Sequence, residues 1–577
     1  MRAPRLLLLA VIVSASATLA AQGGELKLNI VDPPGIGFND PTPVAPVGGN
    51  AGTTLGQQRR IVFQTAAGLW TAALHPNVDV IVQASFAPLP CGATSGVLGA
   101  AGTITVFANF SNAEWPNTWY HSALANHLAG FDLTPGPPDP GLLQPPFNDD
   151  IVAYFNGDIG VNPECLTGFT WYNGLDNNAP GDAFDLLNVV LHEFSHGLGF
   201  ANFVDDATGN NLLGLSDVYS AYSRDNSSGL YWNQMDKHQR AASAVDTGKL
   251  VWRGPTVFGA APGFLIGKPV VRVNVPSGIG DLTAQAASFG ALPPAPPGVS
   301  GDVVLYDDGT GPDPNDACDA FDPGVAGKIA LINRGTCTFA FKTAVAQLSG
   351  AIGVIIVNNQ PAGLPPMGGT DLAPGLPSIT ALGISRDDGN LLKGELPGVN
   401  ASLVADQALG LSGADAGGFP LLYAPNPVEP GSSVSHWDTT LTPNALMEPF
   451  ISSDLKGATT LDLTPDQMFD VGWKDGPHCP VGSDDRATVM FGSCSTGVSN
   501  TKGPFGFSLG LGGRPNGNAY GVDVNGGCYI QDMINACRLQ GSRARVNSCV
   551  THTTDYLERI GVITSLEGRA IRACASR

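Results

Sequence analysis

Asn188-Val-Val-Leu-His-Glu-Phe-Ser-His-Gly-Leu-Gly-Phe200 is the stretch from which the rest of the chain can be read. Its apolar pattern predicts a helix over 183–197, with Asp182 as N-cap and Asp185 in the first turn. Histidines four apart on a helix project from one face. His192 and His196 can therefore share one Zn2+ through neutral imidazoles. Glu193 stands beside the first of them. From there a carboxylate can take a proton from a metal-held water as it attacks a peptide carbonyl, then pass it to the leaving amine. The bland alternative is a surface helix with two solvated histidines, and the apolar run Val189-Val-Leu191 speaks against it.

Working outward, Val62, Ala66, Leu69 and Ala73 recur at helical spacing and predict a helix over 56–74. Strands are expected at 79–86, 104–110 and 151–155. Residues 205–250 read as partly helical, with a polar loop at 224–229. A helix, several strands and a metal-binding helix make an α+β catalytic half-domain.

Composition bounds what such a domain does. The 577 residues exceed one ordinary core and suggest three or four domains. A net charge of -21 argues against nucleic acid and anionic membrane surfaces as partners. Arg2 and Arg5, the apolar run Leu6 to Val13 and the small residues around Thr18-Leu-Ala20 form an export signal over about 1–20. No later apolar run is long enough to span a bilayer. The expected protein is secreted, and its ten cysteines, an even number with no CxxC pair, fit disulfides better than a cysteine-ligated metal.

The composition changes after residue 290. A Pro-rich stretch at 292–299 and an Asp/Gly/Pro loop at 307–319 precede Gly327-Lys-Ile-Ala-Leu-Ile-Asn-Arg-Gly-Thr-Cys337. A helix at 341–349 and a buried strand at 352–358 follow. With Lys342 and Gly350-Ala-Ile-Gly-Val-Ile-Ile-Val-Asn-Asn359, this segment resembles the protease-associated (PA) domain over roughly 268–404. The resemblance implies a non-catalytic accessory of a secreted or lumenal peptidase, with Cys318 bonded to Cys337. The acidic loop 307–319 could bind Ca2+, but it lacks the regular ligand spacing of a calcium loop, so a solvated loop is expected and Ca2+ is not indicated.

A catalytic zinc needs a third protein ligand. Gly199 follows His196 by three, as in the metzincin clan, where such a glycine turns the chain after the active helix. The clan's third histidine would stand at 202, but Asn202 is there, a weak zinc ligand. Asp205 and Asp206 fall at the wrong spacing, and no Glu occurs between Glu193 and Glu395. The chain resembles leishmanolysin-type metzincins, in which an insertion separates the first two histidines from a later His-Trp and a methionine turn. Here those are Ser435-His-Trp437 and Leu446-Met447. The resemblance implies that His436 is the third ligand and that Met447 lies beneath the metal. His75, His121, His127, His238, His478 and His552 lack motif context and are expected to be surface or structural.

Thr464-Pro-Asp-Gln467 predicts a helix with Thr464 as N-cap, ending near Val471-Gly-Trp473. Cys91 is expected to pair with Cys165. Residues 478–577 hold six cysteines whose pairing stays open. The expected architecture is a signal peptide (1–20), an α+β metzincin-like catalytic domain in two parts (21–267 and 405–477), a PA-like α/β insertion (268–404) and a small cysteine-rich C-terminal module (478–577). The expected activity is hydrolysis of internal bonds in protein or peptide substrates, with one Zn2+. The rival is a non-catalytic, zinc-stabilised extracellular binding protein, for which an intact Glu193 would have no use.

Overall fold

The computed structural model describes residues 24–110, 113–133, 149–368, 377–452, 454–473, 486–500, 529–531, 534, 537, 543–559 and 562–576. The export signal expected over 1–20 lies outside them. Among the described residues no helix is long and apolar enough to cross a membrane.

The first helix, α1 (Leu55–Leu74), starts at a capping box in which Thr54 and Gln57 satisfy each other's backbone N–H groups. It packs on a four-stranded sheet of β1 (Leu26–Ile30), β2 (Val80–Ala87), β3 (Gly99–Thr103) and β4 (Ile151–Asn156), in the order β1-β2-β4-β3. β1, β2 and β4 run parallel, and β3 runs antiparallel to β4 at the sheet edge. The strand expected at 104–110 is thus displaced. Ile104 N–H bonds to Asp150 O, the chain turns, and only Val106–Phe107 returns to pair with Tyr120–His121. After α2 (Ser122–Ala129) comes α3 (Leu186–Leu198), the helix of the paired histidines. Its cap is Asp185, not Asp182: the Asp185 carboxylate accepts from Leu187 and Asn188 N–H, and Ala183–Asp185 is held extended by parallel pairing with Thr170–Tyr172. Phe38, Phe63, Phe86, Phe155 and Phe194 form one aromatic cluster between α1, α3 and the sheet, with most of its ring pairs edge-on. The Cys91–Cys165 disulfide closes the loops beyond β2 and β4.

Two more helices follow, α4 (Lys237–Ser243) and α5 (Pro255–Phe264). Then seven strands close a barrel: β5 (Gly267–Val275), β6 (Gly280–Ala286), β7 (Val299–Leu305), β8 (Ile329–Asn333), β9 (Gly353–Val357), β10 (Thr380–Ile384) and β11 (Asn400–Leu411). Their order is β5-β6-β10-β9-β8-β7-β11, and β7 to β10 are the parallel part, of which β8, β9 and β10 are buried almost throughout. α6 (Phe339–Leu348) and α7 (Arg386–Glu395) accompany them. The last strand runs past the expected boundary at 404 to Leu411, which pairs with Gly267, so the barrel begins and ends at one place. Cys318 and Cys337 are bonded. The acidic loop departs from a solvated loop, because Asp316 within it is fully buried.

Beyond the barrel the chain rejoins the first core. Leu411, Leu422, Trp437, Met447, Met468 and Trp473 share one apolar cluster with Val62, Phe63, Phe155 and Phe194. α8 (Thr464–Val471) begins with Thr464 itself. The carboxylate of Asp462 accepts both its N–H and its hydroxyl, so Asp462 takes the capping role expected of Thr464. Asp470 on α8 accepts from Trp252 Nε1 and from Thr256 and Val257 N–H, which fastens α8 to the start of α5. In the C-terminal segment, a hairpin of β12 (Thr488–Phe491) and β13 (Cys494–Ser499) packs with α9 (Arg543–Arg559) and α10 (Ser565–Ala575) around its own core. Cys494 is bonded to Cys574.

Candidate active site

The structure brings together His192 and His196 from α3 and His436 from the chain beyond the barrel. The Nε2 atoms of His196 and His436 each lie 3.2 Å from His192 Nε2. Each opposite ring nitrogen is tied to a backbone carbonyl: His192 Nδ1 to Leu446 O at 2.7 Å, His196 Nδ1 to Phe200 O at 2.8 Å and His436 Nδ1 to Ser432 O at 2.8 Å. A carbonyl accepts, so each Nδ1 carries the proton and each Nε2 presents a lone pair. Burial also holds the rings neutral, lowering His192 to about 4, His196 to about 3 and His436 well below the ordinary range. Three lone pairs facing one point repel one another unless a cation sits between them. Tetrahedral zinc with Zn–N of 2.0–2.1 Å sets its nitrogens about 3.3 Å apart, so these residues fit that metal.

The local sequence accounts for each position. Gly199 ends α3 at φ +139°, a conformation that other residues rarely adopt, and this turn delivers Phe200 O to His196. Phe200 then meets Trp437, next to His436, with ring centroids 5.0 Å apart. Met447 is fully buried, and its carbonyl accepts from Trp437 N–H, while the adjoining Leu446 carbonyl orients His192. Asn202 does not join the cluster. Its amide donates to Asp206 and its Oδ1 accepts from Val204 N–H.

Glu193 is buried at 6% exposure and lies against the sheet-edge strand β3. Burial raises its carboxyl to about 8, against the opposing effect of the Ala101 N–H that it accepts. Since β4 occupies only one side of β3, Glu193 sits on the strand's free edge. A cavity of about 430 Å³ opens there, lined by Ala101 to Ile104, His121, His196, Asn202 and Phe203. His121, expected to be surface or structural for want of a motif, is 1% exposed, packs against Phe203 with ring centroids 4.5 Å apart and planes tilted by 39°, and has no hydrogen-bond partner at either ring nitrogen. No sequence pattern marks it, because its place follows from the pairing of Val106–Phe107 with Tyr120–His121. Of the others, His127 is buried against Trp473, and His75 and His238 are exposed. His478 and the side chain of His552 lie outside the described residues.

Residues 299–392 match the family model of the PA domain, so the chain carries one. A 128-residue stretch is 41% identical to leucine aminopeptidase 2 of Arthroderma otae, covering 22% of this chain and 21% of that protein. A 69-residue stretch is 48% identical to the C5a peptidase of Streptococcus pyogenes, covering 12% of this chain and 6% of that protein. The chain therefore spans about a fifth of the first relative and far less of the second. Among solved structures, a zinc aminopeptidase from Bacillus subtilis is 26% identical over 26% of this chain and 35% of its own, with a TM-score of 0.19.

Proposed function

We propose that this chain is a secreted, zinc-dependent endopeptidase of metzincin type, similar to leishmanolysin in the order of its motifs. His192, His196 and His436 would hold one zinc, with Met447 and Gly199 supporting the site. The observation that carries this is the convergence of three Nε2 lone pairs, each imidazole fixed by a carbonyl behind it. Bound zinc would supply a Lewis acid and an acidified water. Glu193 would take the proton of the attacking water and carry it on to the leaving amine. The free edge of β3 would align an extended peptide by main-chain pairing, which tolerates chain on both sides of the scissile bond. The disulfides Cys91–Cys165, Cys318–Cys337 and Cys494–Cys574 support an oxidising, extracellular compartment. The PA domain would act as an accessory to peptide hydrolysis, the activity named in both relatives.

The identity to a leucine aminopeptidase favours one second reading, removal of N-terminal residues. Two measurements together test both. Zinc content and casein digestion of wild type and Glu193→Ala test the site: the variant should keep about one zinc per chain and lose nearly all proteolysis. Undiminished digestion by the variant would refute the role of Glu193. An N-acetylated peptide then separates the readings. Internal cleavage supports the endopeptidase, and cleavage only of unblocked peptides supports the aminopeptidase.

A further inference from the structure

The loop between β7 and β8 holds a second convergence of ligand atoms. One carboxylate oxygen from each of Asp308, Asp316 and Asp319 lies within 4.8 Å of the other two. Asp316 is fully buried. Its Oδ1 accepts from Cys318 N–H at 3.0 Å, while its Oδ2, also sealed from solvent, has no hydrogen-bond partner. Asp308 is 9% exposed, with Oδ1 taken by the N–H and hydroxyl of Thr310 and Oδ2 approached only by Asp319 N–H at 3.4 Å. A buried cation, Lys342 on α6, reaches this loop. Its ammonium donates to the Asp316 carbonyl at 2.6 Å and lies 3.0 Å from Cys318 Sγ, and it bonds to none of the three carboxylates.

A buried carboxylate oxygen without a donor is unfavourable, and three carboxylates drawn together add mutual repulsion. Lys342 brings one positive charge and no hydrogen bond to them. We propose that Asp308, Asp316 and Asp319 bind a calcium ion that locks the 307–319 loop of the PA domain. Oxygens each 2.3–2.6 Å from one Ca2+ stand at most about 5 Å apart, so their spacing fits. A donor set made only of oxygen suits a hard cation rather than zinc, which favours nitrogen and sulfur. Asp319 is exposed, which leaves an entry path and room for water to complete the shell. Mg2+ demands a tighter octahedron and gives up water reluctantly, so the irregular loop selects against it. The Cys318–Cys337 disulfide anchors the end of the loop and the helix behind it, which reduces the ordering that binding requires.

The test uses the full chain carrying one equivalent of zinc, freed of other metals and titrated with CaCl2 by calorimetry, with thermal unfolding in parallel. One ion should bind per chain, with a dissociation constant in the range of about 0.1–1 mM typical of extracellular modules, and the melting temperature should rise with CaCl2. MgCl2 should do markedly less. Asp319→Asn changes an exposed side chain and should fold, yet weaken binding by at least ~10-fold. Asp316→Asn should abolish binding, and if that buried variant does not fold, Asp319→Asn decides alone. Absence of saturable binding up to about 10 mM, an order beyond the expected range, overturns the proposal. So does calcium binding that Asp319→Asn leaves unchanged, since the ion would then sit elsewhere.

Discussion

Gly99→Ala separates the proposed proton carrier from the proposed metal cluster with a single methyl group. Gly99 opens β3, and its φ is not positive, so alanine suits the backbone. A Cβ there would stand 2.7 Å from Glu193 Cγ, 2.8 Å from Oε1 and 2.9 Å from Cδ. Ordinary contact begins near 3.4 Å, so the Glu193 side chain must retreat by roughly 0.6 Å or swing to another rotamer. It is buried, and its Oε atoms already accept from Ala101 N–H, so a swing breaks that bond. Misplacing a reacting group by about 1 Å costs on the order of 100-fold in rate, or about 2.7 kcal/mol of barrier. None of the three atoms that the new methyl meets belongs to a histidine. We therefore expect kcat/KM on a quenched-fluorescence peptide to fall about 30- to 100-fold, with zinc content unchanged at about one per chain. Wild-type activity would refute Glu193 as the proton carrier at this position, and loss of zinc would refute the independence of the two parts.

Three further outcomes follow from the same geometry. His436→Ala should lose zinc and activity, whereas Asn202→Ala, whose amide bonds only to Asp206 and the local turn, should keep both by metal analysis and peptide assay. Burial raises Asp150 to about 7 although it accepts from Ile81 N–H and Asn126, so the folded chain holds a proton that the unfolded chain releases near pH 4. Its contribution is therefore full below about pH 4 and is lost as pH rises through about 7, with a ceiling of roughly 4 kcal/mol, and urea unfolding should show that fall weakened in Asp150→Asn. Replacing Cys318 and Cys337 by serine opens a loop with a sequence separation of 19 and should destabilise the barrel by about 3 kcal/mol in the chain-entropy model, read from its unfolding transition.

The helix of the paired histidines is legible because its chemistry is local: the spacing 192–196 and the glycine at 199 carry their meaning within eight residues. Its start is not, since Asp185 rather than Asp182 caps it through a strand pairing with 170–172 that leaves no mark in sequence. Of the seven barrel strands, β8 and β9 are legible because buried parallel strands read as unbroken apolar runs, whereas the other five and the closure into a barrel are not. β3 is illegible for an instructive reason. Gly99-Ala-Ala-Gly-Thr103 has little strand propensity and reads as a loop. It is a strand because it pairs antiparallel with β4, and α3 crowds it at its first residue, where a Cβ on Gly99 would stand 2.7 Å from Glu193 Cγ. His121 stays hidden for the same kind of reason, its burial being decided by a neighbouring strand. In the acidic loop, charge alone suggests solvation, whereas Asp316 is buried beside the Cys318–Cys337 disulfide, with its carbonyl bonded by Lys342 of α6.

His192 and His436 are 244 positions apart, and chain connection contributes little to bringing them together. A folded barrel whose ends meet at Gly267 and Leu411 shortens the effective loop to about 100 residues, which saves only about 0.8 kcal/mol of closure entropy. Packing is larger. Trp437 is fully buried against Phe200 and Trp252, and Trp473 Nε1 donates to Leu198 O at the end of α3. Truncating one such tryptophan costs about 3–5 kcal/mol. The apolar clusters divide the same way: those inside the barrel are made of barrel residues, whereas the cluster around the three histidines joins residues from both sides of it. Replacing 268–410 by a short Gly/Ser link should therefore leave a folded chain that binds about one zinc, because the paired ends of a ladder stand only about 5 Å apart. Trp437→Ala in the intact chain should release zinc or weaken it strongly. The opposite pattern, zinc lost with the barrel and kept without Trp437, would mean that the inserted domain assembles the site and that core packing does not.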